Sequence, residues 1–386
     1  MKYLFDIGHP FEFHCFKNVM RNLIDGGHKI KITARDKDVN LKLLEDFGTP
    51  YFSTGKNLPS KLGKIYSLLR NDYRIFKVAK IFDPDVMVTF FSPFAAQAGK
   101  LLKKPVIGFH DTEKAGASIL LSKPFTDLIV VPECYRKELP PQKTVRFKGV
   151  FELAYLHPDY FTPDPAVLDL LGVRAGEKYA VIRFVSHSAL HDTGYGGMSR
   201  QDKVTAVQAL RKHARVFISS EEELLPALKK YEIKLPPEKL HDALFYASLS
   251  YGESATVSSE SAVLGTPAVF IDDTGRSYTD EIEEKFGLVF NFSPRPADQQ
   301  KALQKGIEIL NAALPQQEKK ELNKSFLGGQ GGRFFKKAPL VAEGKNNILS
   351  WQRRRAVLLS YYIDVTAFMT EVITSFPRSS RGDISP

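Results

Sequence analysis

Cysteine is scarce in this chain: Cys15 and Cys134 are the only two in 386 residues. They exclude a multi-disulfide framework, and neither stands in a Cys-x-x-Cys or other metal-ligand spacing, so both read as small core residues. No run of 18 or more apolar residues occurs, which argues against an uninterrupted membrane span. The N-terminal stretch meets Asp6 too early for a signal peptide, so the expected location is the cytoplasm. No His-x-x-x-His or Asp-x-Asp signature stands in a convincing place, and neither a metal nor another cofactor is expected. Excess charge is also missing from most of the chain: residues 151–386 hold 29 basic and 29 acidic residues, whereas residues 1–150 hold 25 Lys and Arg against 15 Asp and Glu. The whole net charge of +10 therefore belongs to the first part. Such a field suits an anionic acceptor or the inner face of a membrane, and it also suits mere solubility. Nucleic acid ranks below these, because the lysines are not interleaved with aromatics in one stripe and no recognition motif accompanies them.

What is present is alternation. Short β-rich runs at Tyr3–Ile7, His28–Thr33, Val86–Phe90, Val106–Phe109, Leu128–Val131 and Thr144–Phe147 are separated by helical stretches such as Phe13–Ile24, Leu58–Ile81 and Pro93–Leu102. That pattern predicts a parallel sheet covered on both faces. Residues 150–178, rich in proline and weak in periodicity, read as a connection. A second alternation runs through Tyr179–Val185, Ala206–His213, Arg215–Ser219, Glu222–Tyr231, Glu238–Ala247, Leu249–Tyr251, Ala268–Ile271 and Leu288–Phe290. It predicts another doubly wound domain, with ligands at the carboxyl ends of the strands.

The most informative stretch runs from Gly252 to Pro267. Ser254 or Thr256 is placed to cap a short helix, whose free amides and positive dipole end suit a phosphate. Glu260 follows Thr256 by four residues, on the same helix face and one turn below a bound anion, where a carboxylate can accept hydrogen bonds from two ribose hydroxyls. Gly265 and Pro267 then stop the helix. The same residues also suit an ordinary capped helix with a solvated glutamate.

This Gly-x-x-x-Thr, Glu-x-Ala, Leu-Gly-x-Pro arrangement resembles the donor-site helix of the GT-B superfamily, which includes UDP-sugar glycosyltransferases and UDP-N-acetylglucosamine 2-epimerases. Gly8-His9-Pro10, Thr33 to Asp38, His110-Asp111-Thr112-Glu113, Glu152 to Pro158 and Ile363 to Phe368 extend the likeness to a prokaryotic branch of that superfamily without an assigned activity, well matched over residues 1–312 and only in part beyond. The resemblance implies two Rossmann-like domains facing a cleft: residues 1–150 on the acceptor side, 151–312 binding a nucleotide-sugar. An irregular linker at 313–350 would lead to a C-terminal helix at 351–377 returning to the first domain, and a tail at 378–386. It also implies that Glu260 holds the ribose. An amphipathic helix on a membrane, with Arg353-Arg354-Arg355 before an apolar run, is the alternative for 351–377.

Three further groups carry candidate chemistry. Arg183, His187 and His191, with hydroxyls and glycines between Ser186 and Gly197, suit a pyrophosphate, or else serve to turn the chain. His187 resembles the histidine of the 2-epimerase Thr-x-His-Arg-Arg-Glu-Asn motif, although Ser188-Ala189-Leu190 replace the residues that follow it. After the first strand, His9 is the preferred general base and Glu12 the second choice. His110 to Gly116 resembles the 2-epimerase His-x-Glu-Ala-Gly segment with looser spacing, which makes Asp111 and Glu113 candidates to accept a hydroxyl proton, or else to cap and favour the next helix. The acid expected in epimerases after the preceding strand is missing, since Thr89-Phe90-Phe91-Ser92 stands there. The expected activity is a glycosyltransferase using a nucleotide-sugar, UDP-linked by preference; the alternatives are a 2-epimerase and a non-catalytic nucleotide-sugar-binding protein.

Overall fold

Seven strands form one parallel sheet and five form another in the computed structural model, which describes the chain apart from residues 38, 57–60, 115, 175, 187–196, 274, 314–347 and 380–386. The first sheet contains β1 (Lys2–Ile7), β2 (Lys29–Arg35), β3 (Tyr51–Gly55), β4 (Val86–Thr89), β5 (Val106–Phe109), β6 (Leu128–Pro132) and β7 (Thr144–Phe147). Their order is β3-β2-β1-β4-β5-β6-β7. The second contains β8 (Tyr179–Phe184), β9 (Arg215–Ser220), β10 (Leu249–Gly252), β11 (Ala268–Ile271) and β12 (Val289–Phe292), in the order β12-β11-β10-β8-β9. Central strands such as β4, β5, β6 and β11 are buried along their whole length because helices cover both faces, so they read as continuous apolar runs.

Each sheet has a point at which the winding reverses. The chain leaves β1 toward β2 and β3, then returns past β1 to β4, and it leaves β8 toward β9, then returns past β8 to β10. The crevices at the carboxyl ends of β1 and β4, and of β8 and β10, are therefore the places where loops diverge and a ligand finds room.

Two compact units result. One comprises Met1–Tyr155 together with Ile363–Pro386, and the other Leu156–Tyr362. The expected helix at 351–377 is in fact two helices, Ile348–Tyr361 in the second unit and Val365–Ser379 in the first. The break has a local cause: Asp364 Oδ1 accepts the Ala367 amide at 3.0 Å and starts a new helix, while the Ile363 amide leaves the helical pattern to bond Lys148 O at 3.0 Å. In the first unit, Val365–Ser379 returns onto the helix Pro10–Asp25, with Thr366 Oγ1 donating to Ala154 O at 2.7 Å and Phe368 against Phe147. Trp351–Phe376 contains an 18-residue window of mean hydropathy 1.4, but the break divides it and a third of that window is buried. Arg354 and Arg355 turn inward, donating to Gly287 O and Val263 O at the ends of two helices of the second unit, rather than outward toward a membrane.

Two other differences follow from local chemistry. The edge strand β3 and the helix Asn40–Phe47 escape the apolar-run reading, because a half-covered edge with Ser53 and Thr54 carries too little hydrophobic signal. Glu222–Tyr231 contains Pro226, which has no amide to donate; only a 3₁₀ turn at Lys229–Tyr231 forms there. The linker expected at 313–350 and the tail expected at 378–386 lie almost entirely outside the described residues.

Candidate functional site

The second unit brings its candidate residues to the crevice between β8 and β10. Gly252 ends β10 at a φ of +140°, and a Cβ there would sit 2.1 Å from Arg183 O, so only glycine permits this approach of the two strands. Glu253 follows with a fully covered side chain that accepts the Met198 amide at 2.7 Å, the Val185 amide at 3.3 Å and Lys203 Nζ at 2.9 Å. It fastens both ends of the segment leaving β8. The sequence reading missed this role, whose only signal is an acid placed directly after a strand-ending glycine.

Ser254 caps the helix Ala255–Val263, its Oγ accepting the Val257 amide at 3.3 Å. Ser254 and Thr256 are the two half-exposed residues of an otherwise buried element, so its amino end is the part open to a ligand. Gly265 takes a φ of +81° and stops the helix. Glu260 is 5% exposed and does not lie in solvent: its Oε1 is 2.9 Å from His241 Nε2, on the helix Leu240–Tyr246. Arg183 Nη1 donates to Ser219 Oγ at 2.7 Å and Nη2 to Glu221 Oε1 at 2.8 Å, while Glu221 Oε2 accepts the Ser186 amide at 3.2 Å. The guanidinium is thus tied to β9 and its loop. His187 and His191 lie outside the described residues. On the next strand, Arg276 and Asp272 form a largely covered pair 3.7 Å apart after β11, a basic group the sequence reading did not single out. A separate cavity of 310 Å³ opens at the ends of β11 and β12, lined by Asp272, Asn291, Ser293 and Lys301 among others.

In the first unit, the end of β1 and the first turn of the helix Pro10–Asp25 hold two carboxyl groups. Asp6 is buried, accepts Thr33 Oγ1 at 2.7 Å, and is raised above the usual carboxylate range by desolvation. Glu12 Oε2 accepts the Gly8 amide at 2.6 Å; desolvation pushes its pKa up to about 8, with Asp6 adding to the rise and Gly8, Arg35 and Lys37 opposing it. His9 is exposed and caps the helix Pro10–Asp25 through Nδ1, which accepts the Phe11 amide at 3.2 Å. In the neutral ring that leaves the proton on Nε2, so His9 presents a donor rather than a base. His14 lies in the helix, stacked on Tyr155.

Asp111 and Glu113 follow β5, two strands away from β1, so they form a group separate from His9 and Glu12. Glu113 Oε1 accepts the Arg136 amide at 3.1 Å. Beside them, His110 is buried against Phe91 with ring centroids 4.7 Å apart, and desolvation lowers its pKa to about 4. His110 Nε2 and the hydroxyl of the neighbouring Tyr135 are both buried without a hydrogen-bond partner among the described residues; the sequence reading named His110 but not its pairing with Tyr135. Phe91 adopts a φ of +45° between the two groups, its carbonyl held by Ser118 and Ser122. Thr89 Oγ1 accepts the Ser92 amide at 3.1 Å, a turn contact where an acid was sought.

Residues 1–276 match the family described as "Protein of unknown function (DUF354)". The chain belongs to that family. No curated protein sequence matches it. Solved structures share the fold of this chain at low sequence identity. A UDP-N-acetylglucosamine 2-epimerase superposes with a TM-score of 0.63 at 13% identity, covering 100% of this chain and 98% of the other. The UDP-GlcNAc 2-epimerase of Methanocaldococcus jannaschii, in complex with UDP-GlcNAc and UDP, gives 0.59 at 14% identity over 80% of this chain and 93% of that one. The spinosyn rhamnosyltransferase SpnG, complexed with spinosyn aglycone, gives 0.54 at 13% identity over 96% and 99%. At these identities the likeness is one of fold: two parallel sheets with alternating helices, as in GT-B epimerases and glycosyltransferases.

Proposed function

We propose that this DUF354 chain is a glycosyltransferase that holds a nucleotide-sugar, preferably UDP-linked, in its second unit and an acceptor hydroxyl in its first. The observation that carries the reading is the open amino end of the helix Ala255–Val263 at the winding reversal, with Glu260 one turn below it. Amides at that end suit the diphosphate, and Glu260 suits the ribose. Preorganised dipoles aimed at a departing diphosphate supply most of the rate enhancement in such chemistry. Arg183 and Arg276 are the basic groups on the adjoining strand ends, with His187 and His191 as further candidates for the phosphates.

For the acceptor, Glu12 is the better base: desolvation pushes its pKa up to about 8, into the range of a carboxylate that takes a hydroxyl proton, whereas the His9 Nδ1 lone pair accepts the Phe11 amide as a helix cap. Asp111 and Glu113, after β5, are candidates to orient the acceptor. A 2-epimerase is the second reading, favoured by structural relatives bearing UDP-GlcNAc. Thr89 at the end of β4 weighs against it.

Incubation with UDP-N-acetylglucosamine alone separates the two. A transferase leaves the sugar unepimerised and releases UDP only when an acceptor is added; epimerisation without acceptor supports the second reading. Binding of no nucleotide or nucleotide-sugar in a thermal-shift panel overturns both.

A further inference from the structure

Three neighbouring helices of the first unit end in the same kind of surface. The steps β3 to β4, β4 to β5 and β5 to β6 all move in one direction across the sheet, so right-handed crossovers put Lys61–Phe82, Pro93–Leu102 and Gly116–Ser122 on one face, where consecutive helices pack together. Each returns toward the edge at which the strands begin. Near their carboxyl ends stand Ile81, 76% exposed, Leu101, 73% exposed, Leu120, 70% exposed, and Leu121. Phe82 and Leu102, beside Ile81 and Leu101, and Phe125, in the turn that follows the third helix, are only partly covered and pack against one core cluster, while the third helix itself packs on the second. Isolated exposed apolar side chains are ordinary, but several gathered on adjoining elements mark a contact surface.

Lysines predominate among the charges around them. Lys77, Lys80, Lys100 and Lys103 are exposed, and none has an acidic partner among the described residues. The acids of the same rim are already engaged: Asp83 with Lys104, Asp85 with the Lys2 amide and Asp127 with the Val106 amide. Lys80-Ile81 and Lys100-Leu101 therefore pair an unopposed cation with an exposed aliphatic side chain at two helix ends, and Leu120-Leu121 is followed by Lys123 at the third. Long lysines extend to phosphate headgroups while aliphatic side chains enter the acyl boundary.

We propose that this helix-end surface docks the first unit on an anionic lipid bilayer. It lies at the edge where the strands begin, opposite to the turns that carry Gly8, Glu12 and His110, and so leaves those residues uncovered. The docking does not depend on which activity the protein has.

The test uses the full chain in co-sedimentation with phosphatidylcholine vesicles, alone and with about 30% phosphatidylglycerol. The chain binds the anionic vesicles and not the neutral ones, and binding falls steeply from low to physiological salt. Lys80→Glu/Lys100→Glu/Lys103→Glu lowers the partition coefficient at least about tenfold, since each lysine at such a surface contributes roughly a fivefold factor. Ile81→Ser/Leu101→Ser/Leu120→Ser/Leu121→Ser lowers it with the salt slope retained, and Lys212→Glu, an exposed change in the second unit, leaves it unaltered. Absence of binding to anionic vesicles at low salt overturns the proposal. So does binding that the triple lysine change leaves intact. A third overturning result is a patch whose variants shift only a monomer–dimer equilibrium in sedimentation velocity.

Discussion

His241 and Glu260 meet at 2.9 Å inside the second unit, bridging the helix that precedes β10 and the helix that follows it. A carboxylate read from the sequence as a ligand for ribose is thereby paired with an imidazole in the interior. Glu260→Ala is expected to weaken UDP affinity at least about tenfold, since hydrogen bonds to a charged acceptor contribute roughly 1.5–3 kcal/mol each. Titration calorimetry with UDP and with 2′,3′-dideoxy-UDP checks this: the dideoxy ligand no longer distinguishes mutant from wild type. His241→Asn loosens the carboxylate and lowers UDP affinity less than Glu260→Ala does. Unchanged UDP affinity in both variants restricts the pair to holding helices together.

The Glu12 carboxyl gives stability a pH dependence of definite sign. Between about 4.5, the value in an unfolded chain, and about 8, the folded protein keeps a proton that the unfolded chain has lost. The folded state then binds more protons, so stability falls as pH rises through that window and levels off above it. Glu12→Gln removes this contribution, and urea unfolding from about pH 5 to about pH 9 reads the change in slope. The raised Asp6 adds a fall of the same sign that survives in the variant. If Glu12 is the base, kcat/KM rises through about pH 8 in the wild type only.

Arg183 reaches Glu221 and Ser219 rather than open solvent, which makes its neighbours part of any phosphate effect. Arg183→Ala should lower affinity for UDP more than for uridine, because only the diphosphate has charge to satisfy. Glu221→Gln frees the guanidinium and should alter UDP affinity while leaving uridine alone. Equal effects on both ligands assign Arg183 to fold support.

Removing Glu253 leaves a half-buried Lys203 unpaired beside two unmet amides. Glu253→Ala is expected to destabilise the second unit by about 3 kcal/mol, the cost of breaking a covered ion pair and its hydrogen bonds. Hydrogen exchange at the Val185 and Met198 amides should accelerate in the same variant. Protection equal to wild type would contradict the clamp.

How far the sequence reveals this architecture depends on burial. β4, β5, β6 and β11 are legible because strands covered on both faces must be continuously apolar, and β8 is legible up to Arg183. β3 is not, since an edge strand needs no such run. The cap at Ser254 and the left-handed Gly265 are written locally and can be read from neighbours in sequence. The partnerships of Glu260 with His241, and of Arg183 with Glu221, join positions 19 and 38 residues apart, and no local pattern announces them. The split C-terminal helix is a mixed case: the Asp364 cap is written locally, whereas the bond of the Ile363 amide to Lys148 O has no signal in the neighbouring sequence.

The first unit is discontinuous in sequence, which sets an order on its completion. When Tyr155 has left the ribosome, the face of the helix Pro10–Asp25 that will meet Val365–Ser379 has no cover, and more than 200 residues of the second unit must be synthesised before its partner exists. A nascent chain at that stage displays Asn22 and the Ala154 carbonyl with their later partners Thr370 and Thr366 still to come. Any fragment ending before Ile363 is therefore expected to expose that helix face, through the topology rather than through weakness of the sheet itself.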